Sequence, residues 1–281
     1  MSSPSQQVGE NAKLVQRNED IENPKLVSSG LVDCIPQTGD CPMECLDGPC
    51  FYNDDKAWYR TKAYSLFPHP DWVGDRLVRV NSGHDSGLGG VVRLPEGHWL
   101  LPDLGVAADE GVWLKRDTLV ERCRHYYPKV FWNTSIPDFR FPGPVVFTAN
   151  GRIPLVQRCP PNVAAVRIRY NSWEWTDLAA LARWYDAENV PILLTAMRYA
   201  RETAIPRAHM HEYSRKKHVV NSYWTLNADA QFHIRDAVQG VCDHVGIVHH
   251  CGTATSSLCR DCGNCAKLYA RCVERMKEDK E

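Results

Sequence analysis

The sequence predicts an α/β protein: a partial (β/α) barrel of about six parallel strands, closed by a cysteine-rich metal-binding segment at the C-terminal end. Three observations predict it. Short apolar runs alternate with helical patterns, and such alternation builds a parallel sheet with helical crossovers, for which an open or partial barrel and a doubly wound sheet are the two arrangements. A first cysteine group follows the first of these runs, and a second group lies near the end of the chain.

Residues 1–25 are polar and lack hydrophobic periodicity, so a flexible arm is expected there. The α/β region is expected over 26–240, and a cluster-binding tail with a terminal helix over 241–281. Strands are read in "KLVSSGLV", "DRLVRVNSG", "KVFWNTS", "PVVFTANG", "VAAVRIRYN" and "VPILLTAMRY". Each is rich in β-branched or large apolar residues and is bounded by Gly, Pro, Asn or Asp. "HVVNSYWTL" and "HVGIVHHC" are weaker strand signals.

The helices follow from their spacing. Asp117–Tyr127 places Leu119, Val120, Cys123 and Tyr127 on one face, which makes Cys123 a small core residue. Thr176–Asn189 repeats Leu178, Leu181, Ala182 and Tyr185, with Thr176 as the expected cap. "NADAQFHIRDAVQGVC" is a third helix. In "CAKLYARCVERMK", Cys265, Leu268, Cys272 and Met276 form a stripe, so Cys272 reads as packing rather than as a ligand. Trp173, Trp175 and Trp184 surround the second helix and read as core.

Composition narrows the function. The chain has 281 residues, 43% hydrophobic and 24% charged, which is material for one large or two small domains. A net charge of −1 gives no broad basic field for nucleic acid. The densest positive run, Ser214–His218, is short and reads as a solvated loop. No apolar run approaches the roughly 20 residues that span a bilayer. The polar start lacks the apolar core of a secretory signal, so a cytoplasmic protein with reduced thiols is expected, away from membranes. No phosphate-binding P-loop, dinucleotide glycine fingerprint or G-x-S-x-G elbow is present.

Twelve cysteines in a reducing compartment point to metal before disulfides. The first group reads Cys41-x3-Cys45-x4-Cys50, with Cys34 upstream, in a loop rich in Pro, Gly and Asp. Three thiolates on a loop suit an iron–sulfur cubane with one iron left open, whereas a fourth from Cys34 would close the site. Paired C-x2-C knuckles, the usual sign of zinc, are missing from this stretch. The second group reads Cys251-x7-Cys259-x2-Cys262-x2-Cys265, and four sulfurs so spaced suit a 4Fe–4S cluster or a zinc ion. His249 and His250 flank Cys251 and read as hydrogen-bonded structural residues.

Polar residues after the strands are candidates for ligand contact, because parallel α/β folds bind at strand carboxyl ends. They include Asn81, Ser82, Asp85, Asn133, Thr148, Asn150, Arg169, Asn171, Thr195 and Arg198.

"TGDCPMECLDGPCFYN", "VRVNSGHDSG" and "CRDCGNCAK" together resemble the radical S-adenosylmethionine superfamily, and more narrowly the phage and bacterial "gene product 88" family. Arg79, Ser82, Gly83 and Asp85 approximate that family's R-x-x-x-S-G-D-like stretch; the second cysteine gap, at four residues, is longer than usual. The resemblance implies that Cys41, Cys45 and Cys50 hold a 4Fe–4S cluster whose open iron chelates S-adenosylmethionine. Reductive cleavage would then give a 5′-deoxyadenosyl radical that abstracts hydrogen from a substrate. It implies cofactor contacts from Asn81, Ser82, Gly83 and Asp85, and ribose contacts from Thr148 and Asn150. It also implies an auxiliary centre on Cys251, Cys259, Cys262 and Cys265, and an electron donor such as flavodoxin or ferredoxin. The alternative is a non-catalytic zinc or iron–sulfur module that serves a protein or nucleic-acid partner.

Overall fold

The structure is a computed structural model, and it describes residues 31–34, 67–68, 73–81, 98–99, 116–134, 139–149, 158–199, 201–217, 222–251 and 262–279. The arm expected over 1–25 lies outside these residues. The chain divides into two compact units. Among the described residues, the first unit holds those up to 134 with 141–143, and the second holds 139–140 and those from 144 onward.

In the first unit, β1 (Leu31–Cys34), β3 (Leu77–Asn81) and β5 (Val130–Thr134) pair in parallel, with β3 in the middle. The short strands β2 (Phe67–Pro68) and β4 (His98–Trp99) pair with each other antiparallel. Helix α1 (Arg116–Tyr126) precedes β5. Cys123 is fully buried and Tyr127 nearly so, as the helical spacing anticipates. Trp132 of β5 is also fully buried and stacks on Phe141 at 5.2 Å.

In the second unit, β6 (Val145–Ala149), β7 (Val163–Tyr170), β8 (Ile192–Ala196) and β12 (Val248–His250) run parallel in that order. Helix α2 (Trp175–Ala187) connects β7 to β8, and α3 (Ala228–Gln239) precedes β12. Within each unit the parallel strands keep chain order, so neither shows the order reversal of a doubly wound sheet. The α/β class and the parallel sheet therefore stand. The residues expected as tail, 241–281, contain β12, which joins this sheet beside β8.

The core of the second unit lies on one face of its sheet. Phe147 and Ala149, Val166, Ile168 and Tyr170, and Ile192 and Leu194 pack there with Leu178, Leu181, Ala182 and Tyr185 of α2 and Val238 of α3. Each buried leucine contributes about 2 kcal/mol by leaving water. Trp173 and Trp184 lie against this core as expected, but Trp175 is 39% exposed.

The ends of α2 differ from expectation. Its cap position is Glu174, not Thr176, and no side chain caps it there. Asn171 does related work upstream: its Oδ1 accepts the N–H groups of Trp173 and Glu174, and its Nδ2 donates to the Glu174 carboxylate at 2.7 Å. The helix closes on Asn189 at φ +53°, a left-handed residue type suited to that place. Helix α3 starts on Asn227, whose side chain accepts the N–H of Ala230.

A second sheet is antiparallel, in the order β10 (Tyr213–Lys217), β11 (Ser222–Leu226), β9 (Arg198–Tyr199). The Ser214–His218 run is thus largely a strand rather than a loop, although Arg215 and Lys216 are exposed. Helix α4 (Asn264–Glu278) starts after Gly263, which is left-handed at φ +66°. It buries Cys265, Leu268 and Cys272, so Cys272 does lie in an apolar stripe. Arg275 donates to the carbonyls of Pro161 and Val163 at 2.9 and 2.7 Å, which fastens α4 to the start of β7. Among the described residues, no helix is long and apolar enough to cross a membrane.

One carboxylate ties two distant segments. Asp186 of α2 is 3% exposed and accepts the N–H groups of Asp243 and His244, and it meets the His244 imidazole at 3.1 Å. Burial alone would raise its pKa, but these donors outweigh it and hold the carboxyl below its ordinary value. Asp186→Asn is expected to cost about 2 kcal/mol in urea unfolding at neutral pH, the scale of hydrogen bonds to a charged group. Because the folded pKa is depressed, that contribution is complete above the ordinary carboxylate value of about 4 and is lost as pH falls through the lower folded value. The gap between wild type and variant should close accordingly. Tyr185, one residue earlier, has a buried hydroxyl with no hydrogen-bond partner among the described residues. Tyr185→Phe is expected to leave stability within about 0.5 kcal/mol or to raise it, and a loss of about 2 kcal/mol in the same assay would contradict that.

Candidate functional site

The face of the second unit's sheet opposite α2 and α3 is polar toward the strand carboxyl ends. Side chains alternate along a strand, so the residues between the core positions face the other way. Thr148 on β6 is in register with Arg167 on β7, Arg167 with Leu193 on β8, and Leu193 with His249 on β12. Two residues further on, Arg169 is in register with Thr195. Arg167 Nη1 donates to Thr148 Oγ1 at 3.5 Å, which confirms that the two share this face.

His249 and His250 point to opposite sides. His249 feels Arg271 and Lys267 of α4, whereas His250 lies by Gln231, Arg235 and Asp236 of α3. Burial, then the nearby cations, lowers the pKa of His249; burial first and Arg235 next lower that of His250. Both imidazoles are held toward the neutral form. The Nε2 atoms of both are buried without a hydrogen-bond partner among the described residues, so the expectation of satisfied structural histidines is only half met.

The sequence-derived sites distribute unevenly. Cys41, Cys45, Cys50, Ser82, Gly83, Asp85, Asn150 and Cys259 lie outside the described residues. Asn81 ends β3, its backbone in register with Asn133. Cys34 ends β1, in register with Val80. Thr148 is buried on the polar face.

Three C-terminal thiols can be followed. The N–H of Cys251 donates to the Leu194 carbonyl, which extends the β12 ladder by one bond. Cys262 Sγ lies 3.6 Å from the carbonyl oxygen of His250, the residue before Cys251, and Asn264 Nδ2 donates to that same oxygen at 2.8 Å. Cys265 is buried in the first turn of α4. Cys262 and Asn264 thus meet the end of β12. Among the described residues, no three His, Cys, Asp or Glu side chains gather closely enough to hold a metal ion.

Three other thiols, Cys159, Cys242 and Cys272, are held toward the protonated form. Burial, with the Glu188 charge, pushes Cys159 up to about 12, and burial with Asp186 and Asp243 pushes Cys242 up to about 11. Burial also raises Cys272.

Sequence reasoning missed Arg167. The signal was available: a strand covered on both faces should read as continuously apolar, yet "VAAVRIRYN" places two arginines at alternate positions. It also missed a trio after β7, where Ser172, His209 and Glu212 meet beside Trp173, Tyr199 and Tyr213. Ser172 Oγ and Glu212 Oε2 both approach the same imidazole nitrogen, Nδ1 of His209, at 3.2 and 2.8 Å. A proton on that nitrogen faces the carboxylate, so Nδ1 has no lone pair free to take the serine proton. A hydrolytic triad needs the two ring nitrogens divided between acid and nucleophile.

Compared with protein-family models, curated proteins and solved structures, the chain matches none. Its chemistry is therefore argued from its own residues.

A fluorophosphonate probe is expected to leave Ser172 unmodified in the folded protein, as read by peptide mass spectrometry; labelling that disappears in His209→Ala would overturn this structural assignment.

Proposed function

We propose that the chain is a radical SAM-like iron–sulfur enzyme built on a partial (β/α) barrel. In this reading Cys41, Cys45 and Cys50 hold a 4Fe–4S cluster, S-adenosylmethionine binds beside it, and Cys251, Cys259, Cys262 and Cys265 hold a second centre of iron–sulfur or zinc. The observation that carries the reading is topological. Parallel strands follow chain order within each unit, and the three-cysteine loop comes directly after the carboxyl end of β1. Folds wound in this way seat ligands at strand carboxyl ends.

The backbone of Cys34 ends the β1 ladder, in register with Val80, and this reading takes Cys41, Cys45 and Cys50 as the three ligands. When bound, the cluster would supply the electron that opens the sulfonium of S-adenosylmethionine. The chain's own share is to hold thiolates, to present polar groups such as Thr148 at the strand ends, and to exclude water with the apolar layer behind them. Asn81, Ser82, Gly83, Asp85 and Asn150 complete the proposed cofactor contacts. A cytoplasmic electron donor of the flavodoxin or ferredoxin kind is the partner this chemistry needs.

A second reading, a non-catalytic zinc or iron–sulfur module, draws on the C-terminal thiols alone. It is favoured by the approach of Cys262 to the strand end that carries Cys251.

Anaerobic purification of the full chain, with iron, zinc and sulfide analysis, tests both. Iron with sulfide is expected, together with 5′-deoxyadenosine when S-adenosylmethionine and a strong reductant are added. Cys45→Ala should lose the N-terminal cluster and all cleavage, and Cys34→Ala should retain both. Zinc without sulfide would overturn the cluster, and a cluster without 5′-deoxyadenosine would select the second reading.

A further inference from the structure

We propose that the polar face of the second unit's sheet binds an oxyanion, the carboxylate or phosphate group of a small molecule, through Arg167, Thr195 and His249. The inference stands on those side chains and needs no metal, so it is independent of the cluster reading.

Three adjacent strands contribute one residue each: β7, β8 and β12. Arg167 and His249 share a register row across Leu193, and Thr195 sits two residues beyond Leu193 on the strand between them. With strands spaced about 4.8 Å apart, the two outer backbones are about 10 Å apart, a span that suits one small anionic group. Arg167 Nε, Thr195 Oγ1 and His249 Nε2 are all buried, and none has a hydrogen-bond partner among the described residues. Buried polar atoms in folded proteins are nearly always paired, so three orphans on one face point to a common partner outside the chain.

Charge identifies that partner. Arg167 spends one donor on Thr148, and at 3.5 Å that bond is long. A guanidinium offers five donors in a planar fork that matches carboxylate and phosphate oxygens. Arg169 lies on the same face, and Lys267 and Arg271 of α4 act on His249. Both of those charges are positive, and His249 Nε2 is one of the three unpartnered atoms. Lys267 and Arg271 are exposed, but the Nε of Arg167 is buried, and a guanidinium desolvated in this way is stabilised by an anion and repels a cation.

The test uses the metal-free full chain, purified with chelator, in calorimetric titrations at constant ionic strength. The probes are inorganic phosphate, malonate and neutral glycerol. Saturable binding of phosphate, of malonate or of both is expected, and none of glycerol; phosphate alone or malonate alone identifies which oxyanion the site takes. Arg167→Gln should weaken binding at least tenfold. Thr195→Val, which keeps the side-chain shape and removes one hydroxyl, should weaken it several-fold even if Arg167→Gln does not fold. Arg215→Gln, at an exposed basic position on β10, should bind as wild type. The proposal is overturned if neither anion binds saturably, if Thr195→Val and every folded Arg167 variant bind as wild type, or if Arg215→Gln loses as much as they do.

Discussion

Everything in the second unit depends on the alternation of side chains along β7. Val166, Ile168 and Tyr170 turn to the layer built by α2 and α3, and the residues between them turn away. A shift of one residue in the register of β7 would place Arg167 and Arg169 in that apolar layer. The cost of burying two guanidinium groups there is several kcal/mol each, so the register is strongly fixed. Because β6, β8 and β12 take their registers from one another through β7 and β8, the same alternation places Thr148, Thr195 and His249 together.

Much of this was legible in the sequence, and the exceptions have physical reasons. The strand runs through β3, β5, β6, β7 and β8 stand out because each is rich in β-branched or large apolar residues between turn-forming ones. Helix α2 stands out because its buried stripe has helical period. Its cap was misplaced because the helix already starts at Trp175, so the Leu178 N–H that a capping Thr176 would serve donates instead to the Glu174 carbonyl. In the second sheet, β9 and β11 fall within runs read as strands, but β10 was missed: its charged sequence looks like a solvated loop, and its pairing partner is fixed by tertiary context, not local pattern. The polar face was half visible: Thr148, Thr195 and Arg169 followed from strand ends, but Arg167 gains meaning only once the registers are known.

The thiols divide by environment rather than by count. Cys123 and Cys272 are packing residues, and burial keeps Cys159 and Cys242 protonated at neutral pH. Cys251 and Cys262 differ because both sit at the end of β12, one extending its ladder and the other against the His250 carbonyl. Spacing drew attention to both, but only the fold shows that Cys262 lies against the carbonyl of the residue before Cys251.

The fastening of α4 has a consequence for how the protein is made. The carbonyl of Pro161, just before β7, accepts from Arg275, 114 residues later in the chain. During vectorial synthesis β6, β7, α2 and β8 emerge early and can assemble by short-range closure. The acceptors at the start of β7 must rely on water until the ribosome has released the segment as far as Arg275. The nascent sheet therefore passes through a state in which these acceptors are hydrated, and they lose that water only when α4 docks.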